Sequence, residues 1–193
     1  LIDWGIIKDI SIIGDPALYF FFFDMSPKKK EKVLGVNLGT AQGMVWGLDE
    51  EKVLKDVVRE LIILKKKGWR FKFFPVIQSD MGYIQKAADL VGEDNPDIVT
   101  DFNSCENFMK ELRNVDIFLG EKLHSVILAS CTYTPIIMIE YQPKCKDFMT
   151  SIDLLENNVR CDKIFPGKIV DLVESEYKTI NQSQEFLMRK CKY

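Results

Sequence analysis

Histidine is nearly absent from this chain: His124 is the single one. That scarcity, with no HExxH, EF-hand or Cys/His spacing, leaves no recognisable metal-binding motif. The five cysteines, Cys105, Cys131, Cys145, Cys161 and Cys191, are odd in number and contain no CxxC pair. This argues against a disulfide framework and fits a reducing compartment. Long apolar runs are missing too. The longest, Ala17 to Phe23, is far too short to span a bilayer, and no charged, apolar and small-residue succession marks a signal peptide. A net charge of -3 gives no electrostatic reason to expect a nucleic-acid partner. A glycine elbow for a serine nucleophile is lacking, so hydrolase chemistry is disfavoured.

What the chain does contain is an ordinary globular composition, 47% apolar and 28% charged over 193 residues. That is enough for one well-buried domain, or one domain with a remnant of another. The lysine runs Lys28 to Lys30 and Lys65 to Lys67 read as solvated element ends. Residues 1–32 do not look like a domain. Apolar runs at Ile10 to Ile13 and Ala17 to Phe23 flank the turn signal Gly14-Asp15-Pro16, and Asp24 to Lys32 is polar. The stretch is expected to be a short buried strand or helix turn followed by an exposed linker, a junction ahead of a domain at 33–193. The chain opens on Leu1 rather than Met, as a fragment or a processed chain would.

From Val33 onward strands and helices alternate. Val33 to Leu38 is an apolar strand, followed by a small-residue loop. Asp49 opens a helix with Glu50 and Glu51 in its first turn, an apolar stripe at Val53, Val57, Leu61 and Leu64, and Lys65 to Lys67 before a stop at Gly68. Trp69 to Ile77 reads as the second strand, Ser79-Asp80 to about Leu90 as a helix, and Asp97 to Thr100 as a third strand. Ser104 to Asn114 (helix), Val115 to Leu119 (strand), Lys122 to Cys131 (helix) and Pro135 to Tyr141 (strand) follow. Pro143 suits the first position of a helix reaching about Leu155. Cys161 to Phe165 is expected as an edge strand and Ile169 to about Met188 as a terminal helix. Apolar, non-alternating strands separated by helices predict a Rossmann-like α/β fold, a parallel sheet of about five to six strands covered on both faces.

Ligands of such sheets bind outside the carboxyl ends of the strands. After the first strand stand Asn37, Gly39, Thr40 and Gly43, suited either to close approach by a phosphate or simply to shaping a turn. Their spacing matches neither GxGxxG nor GxxxxGK[ST]. After the second come Gln78, Ser79 and Asp80, where helix capping or hydroxyl binding would each explain the residue types. After the fourth comes Gly120-Glu121-Lys122-Leu123-His124-Ser125. This turn sets His124 and Lys122 at a helix start, where free N–H groups favour an anion. Tyr141, Gln142 and Lys144 follow the fifth strand, with Lys144 a candidate second cation.

The stretch GEKLHSVILASCTYTPIIMIEYQPKCKDFMTSIDL resembles the signature region of the polysaccharide pyruvyl transferase family, which carries Gly-x-Arg-Leu-His, a small-residue helix, a Pro-led strand and Tyr-x-x-Lys before another helix. Gly120, Leu123, His124, Ala129, Pro135, Tyr141, Lys144 and Phe148 fall in register. Gly14-Asp15-Pro16-Ala17-Leu18 is similar to a segment near that family's domain junction, and Val33 to Leu38 to the first strand of its second domain. The resemblance implies the C-terminal half of a glycosyltransferase-B-like enzyme. Such an enzyme moves a pyruvyl group from phosphoenolpyruvate to sugar hydroxyls as a ketal, on a glycan or lipid-linked acceptor. No cofactor is implied. His124 would contact the donor phosphate or act as acid/base. Lys122, Leu123, Ser125, Asn37, Gly39, Thr40, Gln78, Tyr141 and Lys144 would line the substrate site. The location implied is cytoplasmic, peripheral at most at the inner membrane face. Lys122 stands where the family has arginine, keeping charge but losing the bidentate fork. Two alternatives remain: the nucleotide-binding half of a sugar-nucleotide glycosyltransferase, and a non-catalytic binding domain. Without the other half of the cleft, this chain alone is expected to have little or no transferase activity.

Overall fold

The computed structural model describes residues 15–19, 31–39, 49–101 and 104–190. Six strands form one sheet: β1 (Val33–Asn37), β2 (Arg70–Phe73), β3 (Asp97–Ile98), β4 (Ile117–Gly120), β5 (Ile136–Glu140) and β6 (Asn158–Arg160). All pairings are parallel and the order is β3-β2-β1-β4-β5-β6. The helices α1 (Glu50–Lys66), α2 (Asp80–Val91), α3 (Cys105–Leu112), α4 (Leu123–Cys131) and α5 (Pro143–Ser151) connect them in turn. Helices α6 (Lys168–Lys178) and α7 (Ile180–Lys190) follow β6. This is the Rossmann-like architecture that the apolar strands predict. Every residue of β4 and β5 is buried, as a parallel sheet covered on both faces requires.

The local signals explain the element ends. Asp49 caps α1, its carboxylate accepting from the Glu51 N–H. At the other end Gly68 takes φ 85°, with Gly68 N bonded to Lys65 O and Trp69 N to Leu64 O. Trp69 is therefore part of the helix stop, and β2 starts only at Arg70. Beyond Phe73 the pairing ends near Pro75, which has no N–H to donate. The strand expected over Trp69 to Ile77 is thus four residues long.

Three further expectations change. Helix α5 ends at Ser151, short of Leu155, because Asp153 adopts φ 57° and closes the helix as glycine usually would. The edge strand is Asn158–Arg160, whereas Cys161–Lys163 forms a 3-10 turn in place of the strand expected at Cys161 to Phe165. Val159 alone of that strand is well buried, so its sequence carries little apolar signal. The terminal helix is two helices broken at Thr179.

Ahead of the sheet, Pro16–Tyr19 is a 3-10 turn packed against α4. The rest of the Ala17 to Phe23 run lies outside the described residues. Buried Asp116 ties the chain entering β1, accepting from Glu31 N and Val33 N. Buried Glu60 of α1 accepts from Gly167, Ile169 and Val170 N–H, occupying the N-terminus of α6. Among the described residues no helix is long and apolar enough to cross a membrane.

Candidate active site

The strand order reverses between β1 and β4, which lie side by side although α1 to α3 separate them in sequence. Their carboxyl ends, Asn37 and Gly120, are partners in the register. A crevice at such a switch point is where open α/β sheets bind ligands.

Asn37 is wholly buried and fastens this crevice from three sides. Its Nδ2 donates to Phe74 O at 2.7 Å, while its Oδ1 accepts from Lys122 N at 2.9 Å and from Ser125 Oγ at 3.0 Å. Asn37 and Ser125, both candidates for substrate contact, are thereby committed to joining the loops after β1, β2 and β4. Gly120 is equally constrained. A Cβ there would lie 2.4 Å from Val126 Cγ2 and 2.8 Å from Phe118 Cε1.

Gly39 is the hub of the charged groups. Its N–H donates to Glu121 Oε2 at 3.0 Å. Glu121 is almost fully buried, and desolvation pushes its carboxyl up to about 7, against the opposing pull of the Gly39 N–H and the Lys122 charge. Asp80, fully buried, does not cap α2. Its Oδ2 instead reaches back to accept from Val76 N and Ile77 N, both at 3.1 Å. Ser79 makes no side-chain cap either. The other oxygen, Asp80 Oδ1, has no hydrogen bond among the described residues and lies 3.7 Å from Lys122 Nζ. The sequence alone marks Asp80 only as a cap or hydroxyl ligand, and Glu121 not at all. The available signal is a carboxylate at the end of an apolar strand, in Gly120-Glu121 and in Ile77 to Asp80.

Lys122 is the N-cap position of α4, and its own side chain makes no capping hydrogen bond there. Leu123 is half-buried against the core. His124 points outward with 66% of its side chain exposed, and its Nε2 lies 3.8 Å from Asp15 Oδ2. Asp15 itself is held by Ala17 N at 2.9 Å. Seven residues further along α4, Cys131 Sγ meets Ala17 O at 3.5 Å. The short N-terminal turn and the His124 helix are thus in contact, a relation that leaves no signature in the sequence. Tyr141 is buried under Lys144, whose Nζ stands 5.3 Å from the ring centroid. Gln78 is exposed at the end of the β2 loop. Thr40 and Gly43 lie outside the described residues.

The polysaccharide pyruvyl transferase family model matches residues 1–143, nearly three quarters of the chain. The chain belongs to that family. The match includes Asp15, Gly39, Asp80 and the whole Gly120–Ser125 turn, and stops at the start of α5. No curated protein matches the chain. One solved structure that does is a mutant of S. aureus TarM in complex with Fondaparinux, alpha-GlcNAc-glycerol and UDP, at 16% identity and a TM-score of 0.47. The alignment takes in 90% of this pyruvyl-transferase-family chain and 36% of TarM, so the chain spans little more than a third of that protein's length.

Proposed function

We propose that the chain is the donor-binding half of a polysaccharide pyruvyl transferase that uses phosphoenolpyruvate. The carrying observation is the family match over the segment that builds the β1/β4 crevice, with Lys122 and His124 at the N-terminus of α4. Phosphoenolpyruvate brings a phosphate and a carboxylate, and the crevice offers cations and backbone N–H groups. Lys144 stands in the first turn of α5, after β5.

The reaction adds two sugar hydroxyls to C2 of the enol. C3 gains a proton and becomes a methyl group, the C2–O bond to phosphate breaks, and the second hydroxyl's proton leaves with phosphate or solvent. His124 is assigned the proton traffic at C3, with Asp15 orienting its ring. Lys122 and the helix terminus carry the departing phosphate's charge. The acceptor is a glycan or lipid-linked sugar, and the complete cleft requires a further α/β half.

His124→Gln in the full natural protein tests this reading by phosphate release from phosphoenolpyruvate with a glycan acceptor. A loss of at least a hundredfold is expected, and near-unchanged turnover sinks the assignment. A second reading, a binding module without turnover, draws on the Lys122–Asp80 pair, since a donor phosphate must compete with a buried carboxylate for that ammonium. Thermal shift by phosphoenolpyruvate without any phosphate release would select it.

A further inference from the structure

A second cavity, of about 680 Å³, opens at the carboxyl ends of β5 and β6, within the roughly 300–1,000 Å³ typical of small-molecule sites. Its floor holds the last residue of each strand, Glu140 and Arg160. Glu140 is almost fully buried and accepts from the Asn158 amide, which fixes that amide's orientation. Asn158 Oδ1 is left without a hydrogen-bond partner among the described residues. Buried acceptors of this kind are normally satisfied.

The walls differ from the rest of the molecule in two ways. Phe165 (58% exposed) and Leu155 (43%) both line the cavity, and they are two of the four large apolar side chains exposed among the described residues. Lys146, Lys163 and Lys168 line it as well, none in a close ion pair among the described residues, although the Asp162 charge is felt by Lys163. Arg160, by contrast, is held by Asp162. Against these four cations stand Glu140 and Asp147, so the lining is net positive in a chain whose net charge is -3. The N-terminus of α6 is already taken by Glu60, which leaves the lysines as the anion-binding groups.

We propose that this cavity binds a phosphorylated sugar and serves as the acceptor subsite. Phe165 would offer a flat apolar face to the sugar ring. Glu140 and Asn158 would meet its hydroxyls, and Lys146 and Lys163 its phosphate. The cavity and the crevice share one edge of the sheet, the edge where β1, β4, β5 and β6 end. Apart from Glu140 and Pro143, its lining lies beyond residue 143, where the family match stops. Its role as acceptor site rests on the transferase reading, while the binding itself does not.

Calorimetric titration of the full natural protein with a hexose 1-phosphate, the parent hexose and inorganic phosphate tests it. The hexose 1-phosphate is expected to bind at least tenfold more tightly than either of the others. Phe165→Ala and the double variant Lys146→Glu/Lys163→Glu should each weaken it at least tenfold. All three positions are exposed, so folding should be unaffected. Equal binding of inorganic phosphate, equal binding of the neutral hexose, indifference to either variant, or no binding of hexose 1-phosphate each overturns the proposal. Phosphoenolpyruvate turnover in the same samples separates the two claims. Turnover without sugar-phosphate binding removes the subsite alone, and sugar-phosphate binding without turnover removes the transferase reading alone.

Discussion

Asp80 Oδ1 and the Lys122 ammonium face each other at 3.7 Å across the α-carbon of Gly39. A Cβ on Gly39 would lie 2.4 Å from Lys122 Cε and 2.6 Å from Asp80 Oδ1, so the pair closes over this residue only because it has no side chain. Lys122 keeps 20% of its side chain exposed, whereas Asp80 keeps none. The signature cation of this chain is therefore anchored from below.

Gly39→Ala should force the two side chains apart. Overpacking of this sort costs ~1–3 kcal/mol. The urea midpoint should fall accordingly, and donor affinity should fall with it as Lys122 is displaced. An unchanged midpoint would show that the loop after β1 yields freely.

Asp80→Asn keeps the shape and removes the charge. Breaking a fully buried pair costs ~3–5 kcal/mol, and partial exposure of Lys122 lowers that to about 2 kcal/mol. Chemical denaturation at two salt concentrations checks it. A pair screened by solvent would lose its contribution in high salt, and this one should not.

Glu121 makes stability depend on pH. Its carboxyl is raised from 4.5 to about 7 in the fold by desolvation, so the folded state binds the proton more tightly than the unfolded chain. The favourable contribution is complete below about pH 4.5 and is lost as pH rises through about 7, on the order of 3 kcal/mol in all. Glu121→Gln should flatten the profile across this window, which denaturation at pH 5 and pH 8 would read. Parallel curves for the two proteins would rule out this role for Glu121.

Asp15→Asn should act weakly. The 3.8 Å contact with His124 is largely solvent-exposed, and pairs of that kind contribute ~0.2–1 kcal/mol. A two- to fivefold drop in kcat, roughly what that energy allows, is expected in the full natural protein, with little change in melting temperature. A loss as large as that of His124→Gln would mean that Asp15 takes part directly in proton transfer.

The sheet was legible because apolar strands and capped helices alternate in a way only a parallel sheet satisfies. Asp49, Gly68 and Pro143 mark helix ends by chemistry local to a few residues. The placement of His124 at a helix start after β4 followed from the same alternation. The carboxylates of the crevice did not show. Asp80 sits where a cap would, yet bonds backward to the β2 loop, beside Gly39 and Lys122, which are far from it in sequence. Glu121 meets the Gly39 N–H, distant in sequence and adjacent only once β1 and β4 pair. Strand β6 was misplaced because an edge strand buried at a single residue leaves no periodic trace.

The turn at 15–19 touches α4 at two places, His124 near its start and Cys131 at its end, two helical turns apart. Held at both ends, it lies along the helix like a splint. The one histidine is thus met from outside the sheet, by a turn that contributes no strand to it.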